Sequence, residues 1–267
     1  MSNLRSAPTG GYDNDAKHGY RKLVWGIAAK LPDAKARRVF VLPAAEAREV
    51  KFLLSNGYRQ DRIVICDRNP ATIATIRRSK DKHGLGYGLT IPCACDVADA
   101  GRRLRQRGLS VSVAHLDLTG NMSAKLIDTV VRFVATCPWD APVNLVMVNS
   151  MRGRERRPVY DALQDIASKL PEDAELYGTR NAILIRKIAA AAWHQRMACL
   201  PINDGHGVYV SGAVPMNFVC CALYRWDEVG RQGLSDPSWA ASASWAARLA
   251  EAEYNGMRDE GFNWEAL

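Results

Sequence analysis

The sequence predicts an α/β fold, a doubly wound and mostly parallel seven-stranded sheet with helices on both faces and a late antiparallel strand pair. Three observations predict it. Between residues 38 and 150, five short apolar runs alternate with stretches whose apolar residues recur at helical spacing, and strand–helix alternation is the pattern of parallel sheets. The second and fifth runs, "RIVICD" (62–67) and "PVNLVMVNS" (142–150), are nearly continuous in apolar character, as strands covered on both faces are. After residue 200 the pattern changes to "HGVYVSG" and "PMNFVCCALYRW" (206–226), two runs joined by a short turn, which read as antiparallel neighbours.

The elements follow in order. Residues 13–31 predict a helix through Tyr20, Leu23, Val24, Ile27 and Leu31, with Pro32 after its end. "RVFVLP" (38–43) is the first strand, and residues 47–57 are a helix burying Val50, Leu53 and Leu54 and ended by Gly57. After the second strand, Asn69 can cap a helix whose first residue is Pro70 and whose buried face is Ile73 and Ile76. "GLTIPCACD" (88–96) supplies a short third strand, 97–107 a helix closed by Gly108, "VSVAHLDL" (111–118) the fourth strand and 123–136 a helix. Residues 157–170 and 179–198 also read as helices. We divide the chain into a flexible lead (1–12), one α/β domain (13–235, with a helical insertion at about 157–200) and a helical tail (236–267) packed on the domain, with Asp236 before Pro237 marking its start.

Composition narrows the class. About half the residues are apolar and a quarter charged, as in a globular protein. No run nears the roughly 18 apolar residues of a membrane span, and the first fifteen residues lack the layout of a signal peptide. Seven cysteines include "CAC" (93–95) and "CC" (220–221), spacings that do not suit zinc. Cys66, Cys93, Cys220 and Cys221 lie in apolar runs and are expected to be buried, reduced thiols of a cytoplasmic protein without a metal site. The net charge of +8 favours an anionic partner.

In an open α/β sheet, ligands bind beyond the carboxyl ends of the strands, where the strand order reverses. The residues there are Pro43, Ala44, Ala45 and Glu46 after the first strand, Asp67, Arg68 and Asn69 after the second, and Asp96 and Val97 after the third. Asp117 to Asn121 follow the fourth strand, and Asn149, Ser150 and an arginine cluster follow the fifth. A carboxylate at Asp67 can accept from both hydroxyls of a ribose, or simply flank its helix. Asp96 can accept from an adenine amino group while the Val97 amide meets a ring nitrogen, or it can cap the helix at 97–107. Asn121 or Ser123 can cap the helix at 123–136, which leaves Asp117 open to a functional role. His115, inside a strand, reads as a satisfied core histidine.

"VFVLPAAEAREV" (39–50), "RIVICDRNP", "CACDVADA" and "HLDLTGN" resemble, in order and spacing, the first four motifs of the class I S-adenosylmethionine-dependent methyltransferases, over about residues 13–226. The resemblance implies a seven-stranded sheet ending in an antiparallel hairpin. It implies S-adenosylmethionine contacts at Pro43, Ala44, Ala45, Glu46, Asp67, Arg68, Asp96 and Val97, and a role for Asp117 and Asn121 beside the methyl acceptor. The sequence departs from that family in its first turn, where glycines usually let the backbone approach the cofactor. Either the turn follows an all-negative-φ path fixed by Pro43, with Glu46 or Glu49 meeting the cofactor's amino group, or the pocket is narrowed and the domain binds without methylating. Nicotinamide-dinucleotide enzymes, which set a pyrophosphate on a glycine-rich turn, fit this turn less well.

Arg152, Arg154, Arg156 and Arg157 follow the fifth strand on the cleft side and suit the phosphates of RNA or DNA, or form a solvated loop with Glu155. "RRLRQRG" (102–108), at a helix carboxyl end, belongs to the opposite rim. The signature of base-amino methylation, Asn or Asp before two prolines and an aromatic, is missing; "DLTGN" stands in its place. Ribose-hydroxyl methylation needs a lysine near the central aspartate, and Lys22 is a candidate only by position. Trp25, Trp139 and Trp226 could stack on bases, though core packing accounts for each. The expected function is methyl transfer to an anionic substrate, nucleic acid being the class favoured. The alternatives are a domain that grips nucleic acid or a protein without chemistry, and a small-molecule methyltransferase.

Overall fold

The computed structural model describes residues 15–44, 46–78, 94–151, 178–211, 214–226 and 250–267. The predicted N-terminal lead, the helix at 157–170, the four arginines at 152–157, Ala45, Cys93 and the expected start of the tail at Asp236 lie outside them.

Six strands form one sheet among the described residues: β1 (Val39–Val41), β2 (Ile63–Ile65), β3 (Val113–Asn121), β4 (Val143–Met151), β5 (Met197–Ser211) and β6 (Val214–Arg225), in the order β2-β1-β3-β4-β6-β5. β2, β1, β3 and β4 are parallel, whereas β6 runs antiparallel to both β4 and β5. Most of the predicted third strand is outside the described residues, but its end, Ala94, bridges Asp67 in parallel beside β2. The sheet is mostly parallel, carries a late antiparallel pair, and is Rossmann-like in its winding.

Helices cover both faces. α1 (Asp15–Ala28), α2 (Arg48–Ser55) and α3 (Pro70–Arg78) pack against Val39, Val41, Ile63, Ile65, Leu145 and Met147. α4 (Val97–Gln106), α5 (Ala124–Thr136) and α6 (Gly178–His194) pack against Phe40, Val64, Leu116, Val146 and Val148. The residues of each strand thus divide alternately between two cores, as the pleat requires. α4 and α5 approach closely at Gly101, where an added Cβ would lie 2.3 Å from Thr136 Oγ1. Asn69 caps α3 and Ser123 caps α5, each through a side-chain oxygen accepting a backbone N–H. Gly57 and Gly108 close α2 and α4 at positive φ. Residues 250–259 are helical, and Glu253 pairs there with Arg186 (2.7 Å) and Lys187 (2.6 Å) of α6.

Two expectations need correction. Leu23 is 41 % exposed; the buried face of α1 is Lys17, Tyr20, Arg21, Val24, Trp25 and Ala28. That face keeps helical spacing but carries two cations. The helix at 179–198 ends at His194, and β5 begins at Met197 rather than near residue 206. Arg196 turns the chain at a left-handed φ of 57°, and pairing of Met197–Pro201 with β6 overrides the helical leaning of Met, Ala and Leu. Of the two residues offered as the α5 cap, Ser123 supplies it, accepting from the Leu126 N–H.

Candidate functional site

The strand order reverses between β1 and β3: the chain leaves β1 outward to β2, then returns to β3 on the other side. The carboxyl ends of the parallel strands share one rim, which brings Pro43, Ala44 and Glu46, Asp67 and Arg68, Asp117 and Asn121, and Asn149 to the same end of the sheet. Asp96 and Val97 join them through the Ala94–Asp67 bridge.

The first turn does without glycine but not without left-handed geometry. Ala44 has φ 51° and Ala47 φ 50°, and the Ala47 N–H bonds the Ala44 carbonyl at 3.2 Å. The all-negative path expected from Pro43 is not taken. Pro43 is buried, whereas Ala44 and Glu46 are exposed, the latter 3.4 Å from Arg48. Each left-handed alanine carries about 1 kcal/mol of steric cost that glycine avoids. Ala44→Gly is therefore expected to leave stability within about 0.5 kcal/mol of the parent, because relief of that cost offsets the added freedom of the unfolded chain. Urea unfolding checks this.

Glu49, the other residue considered for a cofactor's amino group, faces inward. Its Oε2 accepts from Arg21 Nε (3.1 Å), and its Oε1 accepts from Trp25 Nε1 and His115 Nδ1, the latter at 2.8 Å. All four residues are buried. α1 supplies three residues to this network, Tyr20, Arg21 and Trp25, the last two one helical turn apart. The Tyr20 hydroxyl lies 2.8 Å from His115 Nε2. Since a carboxylate only accepts, Nδ1 donates to Glu49, and the Tyr20 hydroxyl meets the other ring nitrogen, Nε2. Burial, then the negative charge of Asp117, raises the Tyr20 hydroxyl well above its ordinary range, so it stays a donor. His115 is a satisfied core histidine, as its position in the strand predicts.

Burial alone would push the Glu49 carboxyl up, but the His115 charge and hydrogen bond, the Trp25 N–H and the Arg21 guanidinium outweigh it. They hold the carboxyl down at about 2, from 4.5. A depressed carboxyl gives stability that is present above its ordinary value and is lost as pH falls through the folded one. About 3 kcal/mol is expected to disappear as pH falls from 4.5 towards 2. Urea midpoints measured across that window, with Glu49→Gln lacking this component, check it.

A second cluster adjoins the first through the Tyr20 ring, which stacks on Tyr209 at 4.7 Å and 12°. Gly207 faces Phe218 across the β5–β6 pair, where an added Cβ would lie 3.2 Å from the ring; its absence lets that ring pack beside both tyrosines. Asp117 and Asn149 are register partners on β3 and β4. Asn149 Nδ2 donates to Asp117 Oδ1 (2.7 Å) and to the Tyr209 hydroxyl (2.8 Å). Lys17 Nζ sits 3.0 Å from Asp117 Oδ2, with side-chain exposures of 8 % and 17 %. Lys17, not Lys22, is the lysine beside the central aspartate; Lys22 is exposed on the outer face of α1. This arrangement holds an acid and a base together at the strand-order reversal.

The remaining rim acids are more open. Asp67 Oδ1 accepts from the Asn69 N–H (2.8 Å), and Asp96 Oδ1 accepts from the Ala98 N–H (3.0 Å) as the α4 cap. Arg68 and Asp96 are exposed, and Asp67 and Val97 are half-buried. Trp25 and Trp139 are buried, and Trp226 packs edge-on against Trp193, so core packing accounts for these rings. A cavity of about 370 Å³ lined by Trp139, Gln195, Arg196, Met197, Arg225 and Trp226 lies at the opposite rim. Among the described residues no cluster of His, Cys, Asp and Glu is placed to hold a metal ion, and no helix is long and apolar enough to cross a membrane.

Sequence reasoning missed Lys17, Arg21 and Tyr209. The legible signal for the first two was a pair of cations, four apart, on the otherwise apolar stripe of α1.

No protein-family model and no curated protein matches the chain. Solved structures align with most of its length. An O-methyltransferase family protein from Burkholderia thailandensis is 15 % identical, with 79 % of this chain and 57 % of that one covered at a TM-score of 0.41. The putative methyltransferase yhhF from Escherichia coli is 12 % identical, with 82 % and 91 % covered at 0.44. TrmN from Thermus thermophilus is 13 % identical, with 77 % and 48 % covered at 0.45. The chain spans less than two thirds of the first and third of these proteins. No assignment of activity rests on likenesses at this level.

Proposed function

We propose that the chain binds S-adenosylmethionine at the rim between β1 and β3 and transfers its methyl group to a hydroxyl of an anionic substrate, nucleic acid being the class favoured. The observation that carries the reading is the Lys17–Asp117–Asn149 cluster at the strand-order reversal, in line with the carboxylates of Asp67 and Asp96.

The residues present suit the cofactor. Asp67 engages one oxygen with the Asn69 N–H and is half-buried, which suits a carboxylate that accepts from ribose hydroxyls. Asp96 and the Val97 amide would flank adenine, with Arg68 beside the ribose. Pro43, Ala44, Ala45 and Glu46 would border the methionine part, which carries no phosphate and so makes fewer demands on the turn. When bound, S-adenosylmethionine supplies an electrophilic methyl group. Asp117 would accept the proton of the acceptor hydroxyl, and Lys17 would stabilise the charge that develops on its oxygen. Asn149 fixes the Asp117 carboxylate, and Asn121 would border the acceptor at the end of β3.

Arg152, Arg154, Arg156 and Arg157 would meet the substrate's phosphates. Arg154→Glu with Arg157→Glu is expected to weaken binding of single-stranded RNA or duplex DNA, and to lower the salt slope by about 2. Unchanged binding in a salt titration points instead to a small-molecule acceptor.

A second reading, a domain that grips nucleic acid or a protein without chemistry, is favoured by one observation: the first turn carries alanine methyls at left-handed φ, and Glu49 is withdrawn into the core. Calorimetry separates the two. S-Adenosylmethionine and its demethylated product should both bind; if neither binds at millimolar concentration while nucleic acid does, the second reading stands.

A further inference from the structure

We infer that Cys66 and Cys95 are an oxidisable pair whose disulfide would couple the two strand ends carrying Asp67 and Asp96. Their Sγ atoms lie 3.6 Å apart, and Cys66 Sγ is 3.4 Å from the Cys95 carbonyl. The backbone holds them in this relation: Asp67 and Ala94 are bridge partners, and the Cys95 N–H bonds the Asp67 carbonyl at 3.1 Å. Each cysteine immediately precedes one of the two rim acids. The pair is not symmetric in access, since Cys66 is fully buried and Cys95 is 8 % exposed.

With a peroxide as oxidant, the chemistry balances. Cys95 Sγ attacks one peroxide oxygen; the O–O bond breaks, leaving a sulfenic acid and one water. Cys66 Sγ then attacks the Cys95 sulfur, the S–O bond breaks, the S–S bond forms, and a second water leaves with the Cys66 proton. Two thiols lose two electrons and two protons, and hydrogen peroxide becomes two waters. A disulfide near 2.0 Å requires the sulfurs to close by roughly 1.5 Å from 3.6 Å. Both backbones are held, the Cys66 N–H by the Val41 carbonyl at 3.2 Å and the Cys95 N–H by the Asp67 carbonyl at 3.1 Å, so closure would strain the two strand ends that carry Asp67 and Asp96. Moving Asp96 relative to Asp67 would change nucleoside binding, a consequence that rests on the proposed cofactor site.

Unlike Cys95, Cys221 is fully buried, and its contact with Cys199, then burial, raises its thiol well above the ordinary range. It should resist the same oxidant.

The test treats the full chain, carrying Cys93→Ser to remove a neighbour in sequence, with hydrogen peroxide, and maps peptides without reduction. A linked peptide joining Cys66 to Cys95, two hydrogens lighter than the free thiols and reversed by dithiothreitol, is expected. Sulfinic acid at Cys95 without a link, or a Cys199–Cys221 link forming first, overturns the pair. Calorimetry with S-adenosylhomocysteine then reads the consequence: at least ten-fold weaker binding in the oxidised form, and no response to peroxide in Cys95→Ala or Cys66→Ala. A mapped disulfide with unchanged affinity overturns the coupling. If the reduced protein itself binds nothing, the proposed function and the coupling fall while the mapped bond stands.

Discussion

Glu49→Ala is expected to destabilise the protein by about 3–5 kcal/mol, the usual effect of removing one partner of a buried ion pair. The size follows from what the carboxylate holds. It is the common acceptor for the Arg21 guanidinium, the Trp25 N–H and the His115 ring, all buried. Without it a guanidinium charge stays desolvated and two donors lose their acceptor, each a cost in a low-dielectric interior. Glu49→Gln retains one carbonyl acceptor and should cost less. Arg21→Met combined with Glu49→Leu removes charge and counter-charge together and should recover part of the loss. Urea unfolding of these variants gives the comparison. A loss below about 1 kcal/mol for Glu49→Ala would mean that the carboxylate does not organise this side of the sheet.

The second large effect concerns rate. Lys17→Met and Asp117→Asn are each expected to lower kcat for methyl transfer by about 10²–10⁴-fold, the range for loss of a positioned proton-transfer or charge-stabilising group. Affinity for S-adenosylhomocysteine should change little, because neither residue is assigned to the nucleoside. Lys17→Arg keeps the charge and should retain more activity than Lys17→Met. Asn149→Ala acts at one remove, through the Asp117 carboxylate that it holds at 2.7 Å, and its effect should lie between. Unaltered kcat in Lys17→Met would dismiss the cluster as a structural ion pair.

How much of this was legible depends on the distance over which each residue finds its partners. The parallel strands were legible because apolar runs such as "RIVICD" are local signals, and parallel strands place their following residues at one rim. Asp67, Asp96 and Asp117 could be read from that rule. The start of β5 could not: "RMACL" leans towards helix, and only pairing with a β6 strand some 25 residues later makes it extended. The inward networks were hidden for the same reason. Arg21 meets Glu49 28 positions on, Glu49 meets His115 66 on, and Tyr20 meets His115 95 on. No local pattern announces such contacts, although Lys17 and Arg21 on the stripe shared by Tyr20, Val24 and Trp25 marked α1 as more than a packing helix. The left-handed alanines show the converse case: alanine lowers the preference for positive φ without forbidding it, and the turn imposed by the flanking β1 and α2 decides.

The most direct measurement is calorimetric titration of the full, reduced chain and of Asp67→Ala with S-adenosylhomocysteine. The account predicts saturable one-site binding to the parent and at least ten-fold weaker binding to the variant. Absence of heat at millimolar ligand, or equal affinity in both proteins, would contradict it.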